Sequence, residues 1–146
     1  MYLTAAPAST NLSAFSVTVT GGAIVSVAVT IQNSGQQAGN YSIAGQWVLP
    51  GTTTVEGHVG AQGSPTTPLT GSIAGGQTVT VTMDSGPAAY AQQIQGYNPS
   101  LGLDLLLSLT DTTTGQSVSK RVSSAVFLPS ESPSDLTITG VSVSSA

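Results

Sequence analysis

Apolar residues recur at every second position along this chain, and that periodicity restricts it to β architecture. Side chains alternate across a strand, so a period of two buries one face and leaves the other to solvent. From Ala23 to Gln32, Val25, Val27, Val29 and Ile31 share one face, with Ser26, Ala28 and Thr30 opposite. From Leu101 to Thr110, Leu101, Leu103, Leu105, Leu107 and Leu109 make the most hydrophobic single face and predict a central strand. Helical periodicity is nearly absent.

Five further runs follow the same rule. Leu12 to Thr20 places Phe15, Val17 and Val19 together; Asn40 to Leu49 places Tyr41, Ile43, Gly45, Trp47 and Leu49 together. Thr52 to Val59 is weaker, with Val55 and Val59 inward. Gln77 to Met83 alternates Val79, Val81 and Met83 with threonines, and Gln116 to Leu128 turns Val118, Val122, Val126 and Leu128 inward. Phe15, Tyr41, Trp47 and Phe127 all stand in core registers. Strict alternation also points Lys120 inward, which is costly unless the strand bulges or lies at an edge.

Punctuation between the runs comes from Gly21-Gly22, Asn33-Ser34-Gly35, Pro50-Gly51, Gly75-Gly76 and the hairpin-like Asp111 to Gly115. Gly60 to Gly71 holds Pro65 and Pro68 and reads as a long exposed contact loop. One short helix is expected near 87–95, where Asp84-Ser85-Gly86 offers caps and Pro87 suits a first turn. Seven strands with regular turns predict an all-β, immunoglobulin-like antiparallel two-sheet sandwich, with a jelly roll as the alternative.

The domain plan is an N-terminal arm over 1–10, the sandwich over 11–128, and a linker with a C-terminal strand or arm over 129–146. At 146 residues the chain has the length of one domain. The sandwich resembles the immunoglobulin-like adhesion and surface domains of bacteria, archaea and phage, of the CARDB type. Two stretches carry the resemblance. Val27-Ala28-Val29-Thr30-Ile31-Gln32-Asn33-Ser34-Gly35-Gln36-Gln37-Ala38-Gly39-Asn40-Tyr41 is similar to that family's strand, Asn-x-Gly turn and next strand. Ala74-Gly75-Gly76-Gln77-Thr78-Val79-Thr80-Val81-Thr82 is similar to its later Gly-rich turn and Thr-alternating strand. The resemblance implies architecture and not a role.

Charge excludes whole classes of partner. Two basic residues, Lys120 and Arg121, stand against six acidic ones, for a net charge of −4. Nucleic acid binding needs several Lys or Arg to displace counterions, so no nucleic acid is expected. No stretch approaches the roughly 18 apolar residues of a spanning helix, so no membrane insertion is expected. The opening Met1 to Ala6 lacks a basic region followed by a long apolar one, which argues against a leader peptide. The chain has no cysteine, which removes disulfide and thiolate chemistry.

No catalytic constellation, cofactor motif or metal-ligand spacing emerges. His58 is the sole histidine and sits in a Gly-rich strand, and the carboxylates are dispersed singly. Asp84 and Asp111 read as turn formers. The expectation is therefore that the chain is not an enzyme, has no catalytic, cofactor or metal residues, and serves as a structural protein.

The tail carries the most suggestive feature. Asp135 to Ser144 echoes Asn11 to Thr20, pairing Leu12 with Leu136, Val17 with Val141 and Val19 with Val143. Leu136, Ile138, Val141 and Val143 are the candidate subunit contacts, acting within the same subunit or on a neighbour by strand addition. Expected partners are other structural subunits, either copies of this chain or a capsid protein. The leading expectation is a virion capsid decoration or cement protein. Alternatives are a cell-surface or extracellular filament subunit using donor-strand contacts, and an adhesion or carbohydrate-binding module.

Overall fold

The computed structural model describes residues 15–20, 26–87 and 89–130. Within them the alternating runs form eight strands: β1 (Phe15–Thr20), β2 (Ser26–Gln32), β3 (Gly39–Val48), β4 (Val55–Val59), β5 (Leu69–Ile73), β6 (Thr78–Met83), β7 (Leu103–Asp111) and β8 (Gln116–Val126). One antiparallel sheet has the order β1-β2-β6. The other has the order β4-β3-β7-β8, with β5 also pairing β3. Sheets so ordered and packed face to face form a β-sandwich of the immunoglobulin type, and the jelly-roll alternative does not arise.

The core lies where the inward faces meet. Val27, Val29 and Ile31 of β2 oppose Ile43 and Trp47 of β3 and Leu103, Leu105, Leu107 and Leu109 of β7, all but completely buried. Burying side chains of this size contributes roughly 1.5–3 kcal/mol each. Trp47 anchors one end, its indole N–H donating to the Ser85 carbonyl at 3.2 Å. That end, which carries Val48, Leu103, Met83 and Val126, is called the lower end. The upper end carries Gln32, Gly39, Asp111 and Gln116.

At the upper end the Asn-x-Gly turn is a buried hub. The Asn33 amide donates to the carbonyls of Gln37 (2.8 Å) and Ile73 (2.9 Å), and its Oδ1 accepts the Gly35 N–H at 2.9 Å. Its backbone is tied to Gln77 and Gly76, each at 2.9 Å. A Cβ on Gly75 would collide with the backbone of Gln36, so the glycine lets two loops close over this hub.

Several sequence expectations change. The stretch Gly60 to Gly71 is not one exposed loop. It contains the start of β5, whose Leu69 to Ile73 pair with Gly39 to Ile43, and Pro68 merely precedes the ladder. The helix near 87–95 reduces to one 3-10 turn, Ala91–Gln93, flanked by extended Tyr90 and Ile94. Tertiary bonds fix it there: the Ala91 N–H reaches the Pro129 carbonyl at 2.8 Å, and Ile94 is drawn into the core.

Three apolar residues expected in the core face out. Val55 pairs with Val48 across a bulge after Trp47, which turns it to the exterior at 41% exposure. Leu101 precedes β7, cut off by Gly102 at φ +69°, and is 46% exposed. Phe127, between inward Val126 and Leu128, is 47% exposed.

Candidate contact surface

Neither face of the sandwich carries a dense charge pattern, so contact must be sought in edges, exteriors and ends. The exterior of the three-stranded sheet is a hydroxyl grid. The register sets Ser16 beside Thr30 and Thr80, Thr18 beside Ala28 and Thr82, and Thr20 beside Ser26. Hydroxyls bond across strands, Thr30 to Thr80 at 2.9 Å and Thr20 to Ser26 at 2.8 Å.

Open strand edges invite pairing with another chain, and side chains here guard them. Lys120 sits on edge strand β8 opposite Leu107, so it does point inward, and the edge resolves its cost. Its Nζ reaches across to β1, 3.5 Å from the Phe15 carbonyl and 5.7 Å from the Phe15 ring centroid. On β6, the Gln62 amide caps the Thr82 carbonyl at 3.0 Å, and Gly60 bridges to Asp84. β8 itself is broken by a bulge in which Ser123 to Ala125 lie against Asp104, with Ser124 at φ +50°. β4 and β5 are five residues each.

The bulge is organised by a buried carboxylate. Asp104 is 3% exposed, accepts the N–H groups of Gly51 (3.0 Å) and Ser124 (2.9 Å), and is paired with the Arg121 guanidinium. Arg121 also donates to the Thr52 carbonyl, so one ion pair ties the β3–β4 loop to β8. Burial works to raise the Asp104 pKa, but the Ser124 and Gly51 N–H groups and Arg121 outweigh it and hold it below the ordinary carboxylate value.

The lower end also carries two half-exposed apolar side chains, Leu101 and Phe127. The Phe127 ring lies over Gly102, where a Cβ would be 3.2 Å from its Cδ2, and Leu101 is the next residue. Leu101 and Gly102 donate to the Asn98 carbonyl at 3.0 and 2.9 Å, and Asn98 Oδ1 accepts the Ser100 N–H at 2.8 Å. The Leu128 N–H donates to the Tyr97 hydroxyl at 2.8 Å. The chain therefore passes Ser130 from a pinned exit beside two half-exposed hydrophobic residues.

The sequence-based contacts Leu136, Ile138, Val141 and Val143 lie outside the described residues, as do the proposed arm over 1–10 and the strand-like run from Asp135. His58 is exposed on the outer face of β4. It lines a groove of about 520 Å³ with Gln46, Leu106, Ser108, Ser119 and Pro65, none of them charged. Asp84 and Asp111 are turn residues: Asp84 accepts from Gly86 and Gly63, and Asp111 from Thr113 and Thr114. Among the described residues no cluster of three His, Asp or Glu is placed to hold a metal, and no helix is long and apolar enough to cross a membrane.

Sequence reasoning passed over the Leu101–Phe127 patch and the Asp104 hub. Gly102 inside the leucine run was a visible signal of a broken register. Nothing near Asp104 in sequence announces Gly51 or Ser124 as its partners.

No family model matches the chain. No curated protein matches it either. Among solved structures, a crystal structure of DesR, a β-glucosidase from Streptomyces venezuelae in complex with D-glucose, matches at 22% identity and a TM-score of 0.38. The match covers 80% of this chain and 15% of that one. The expectation from the sequence that the chain is not an enzyme is not carried forward, since the solved chain with which it aligns is a β-glucosidase. At that similarity the likeness assigns no activity to this chain.

Proposed function

We propose that the chain is a structural subunit of an extracellular assembly, specifically a virion surface protein that decorates or cements a capsid. The observation that carries this reading is the division of its surface: guarded sheet edges, an uncharged hydroxyl exterior, and the half-exposed apolar side chains Leu101 and Phe127 at the lower end. A body built this way meets its neighbours at its end and through its chain termini. Its partners are copies of itself or a capsid protein, and Leu136, Ile138, Val141 and Val143 are the contacts of its terminal arm.

The filament alternative relies on strand insertion at an open edge, and the guarding by Lys120 and Gln62 weighs against it. A carbohydrate-binding module calls for aromatic rings on an exposed sheet face, whereas Tyr41 and Trp47 are buried. Quantitative mass spectrometry of purified particles tests the proposal. Many copies per particle are expected, and recovery in cell envelopes but not in particles overturns it.

A further inference from the structure

We propose that a cavity beside β4 binds a small organic cation, a primary ammonium carried on an apolar body. Such a site is independent of the chain's role in an assembly. At about 440 Å³ the cavity has the size of a small-molecule site. Pro65, Pro87 and Ile94 wall it, Trp47 closes its floor, and Glu56 is the one carboxylate of its lining. Among the described residues no lysine or arginine contributes to it.

Local backbone geometry builds the cavity. The register of β4 on β3 passes from Trp47 opposite Gly57 to Val48 opposite Val55, so Glu56 is a bulge residue with no partner on β3. A bulge re-aims a side chain, and this one brings half-buried Glu56 into the cavity wall. Gly57 adds no side chain there; a Cβ would be 3.2 Å from Trp47 Cδ1. The facing wall turns at Gly86, φ +83°, whose N–H donates to Asp84 Oδ1 at 2.9 Å. Asp84 Oδ2 accepts the Gly63 N–H at 2.9 Å, which fixes the loop that carries Pro65. Walls fixed in advance lose little conformational entropy when a ligand enters.

Charge selects the ligand. Among the described residues Glu56 makes no ion pair, since Arg121 is engaged by Asp104 and Lys120 lies against Phe15. Anions are disfavoured twice, by Glu56 and by the net charge of −4. An ammonium answers a carboxylate set among apolar walls with a charge-assisted hydrogen bond, while its apolar body leaves water for Pro65, Pro87 and Ile94. A free amine and a lysine side chain of a partner protein share this chemistry, because lysine carries its ammonium on an apolar stem.

Titration of the full-length, ¹⁵N-labelled chain at pH 7, followed by NMR, tests the site. Cyclohexylmethylamine is the probe, with cyclohexylmethanol and cyclohexanecarboxylate as its neutral and anionic counterparts. The amine is expected to shift the Gly57 and Gly86 amides and the single indole N–H, that of Trp47, saturably, and to leave Gly76 and Gly115 at the upper end unmoved. The alcohol should bind about tenfold more weakly, for want of the charge-assisted hydrogen bond, and the carboxylate not at all. Glu56→Gln, with the parent's amide spectrum as the check on folding, should lower the affinity for the amine to that for the alcohol. Nα-acetyl-lysine methylamide separates the two sources: tighter binding than cyclohexylmethylamine assigns the site to a partner's lysine, and weaker binding to a free amine. Absence of saturable shifts at these residues with either amine overturns the proposal, as does an amine affinity that Glu56→Gln leaves unchanged. Equal affinities of the parent chain for the amine and the alcohol overturn it without recourse to any variant.

Discussion

The two ends of the sandwich are each organised by one buried polar side chain, and the two solutions differ in charge. Asn33, fully buried at the upper end, gives two hydrogen bonds and takes one, all with backbone groups of neighbouring loops. Asp104, at the lower end, takes two backbone N–H groups and a guanidinium. Both answer the same need, since loop backbone buried by packing must find partners. The neutral hub holds its loops identically at any ordinary pH. The ionised hub is the stronger while its partners are present and the more costly when one is lost.

The largest effect is expected from Asp104→Ala. It strips the Arg121 guanidinium and the Gly51 and Ser124 N–H groups of their acceptor together. Breaking a buried pair typically costs about 3–5 kcal/mol, to be read as a lowered denaturation midpoint in urea at pH 7. Because the fold holds the Asp104 pKa below its ordinary value, ionised Asp104 stabilises the native state. That contribution is complete above the unfolded carboxylate value of about 3.9 and is lost as pH falls through the lower native value. The deficit of Asp104→Ala against the parent should therefore shrink below about pH 4. A deficit that stays constant down to pH 2 removes the ionised-hub account.

Asn33→Ala is expected to cost somewhat less, about 2–3 kcal/mol, from three lost side-chain hydrogen bonds and the unsatisfied carbonyls of Gln37 and Ile73. Its deficit should be the same at pH 7 and at pH 4. Asn33→Asp sharpens the contrast, because it aims carboxylate oxygens at two carbonyls. Its stability should rise on acidification, opposite to the trend set by Asp104. Arg121→Gln comes next, at about 1–2 kcal/mol, since the Arg121 side chain is 29% exposed and part of its loss is made good by water.

How legible each hub was in the sequence follows from the distance to its partners. Asn33 stands in an Asn-x-Gly turn, and its Gly35 and Gln37 partners are two and four residues away, so the sequence marks the turn. Asp104 draws on Gly51, Arg121 and Ser124, gathered by sheet pairing from three segments. The same division runs through the fold. β2, β3 and β7 were readable because strict alternation records a buried face, whereas β5, with Thr70, Gly71 and Ser72 at its centre, records almost none. The bulges that turn out Val55 and accompany Phe127 insert residues without changing composition, and alternation cannot register them. Leu136, Ile138, Val141 and Val143 were read from alternation alone.

The smallest expected effect isolates charge from connectivity. Asp111 is buried beside the Asn33 end, as Asp104 is buried at the other, yet its Oδ1 alone is used, accepting Thr113 N–H at 2.9 Å and Thr114 N–H at 3.2 Å. Its Oδ2 is buried with no hydrogen-bond partner among the described residues. Asp111→Asn keeps the used oxygen and removes the cost of burying a charge, while leaving an amide donor where an unpartnered oxygen was. These terms oppose each other, so stability should move by no more than about 0.5 kcal/mol at pH 7. The same substitution at Asp104 forfeits an ion pair and presents an amide donor to a site lined with donors, and should cost at least about 1–2 kcal/mol. Paired urea denaturation of Asp111→Asn and Asp104→Asn measures the difference. Equal losses at the two sites would mean that burial, and not the donors converging on Asp104, sets the value of a carboxylate in this sandwich.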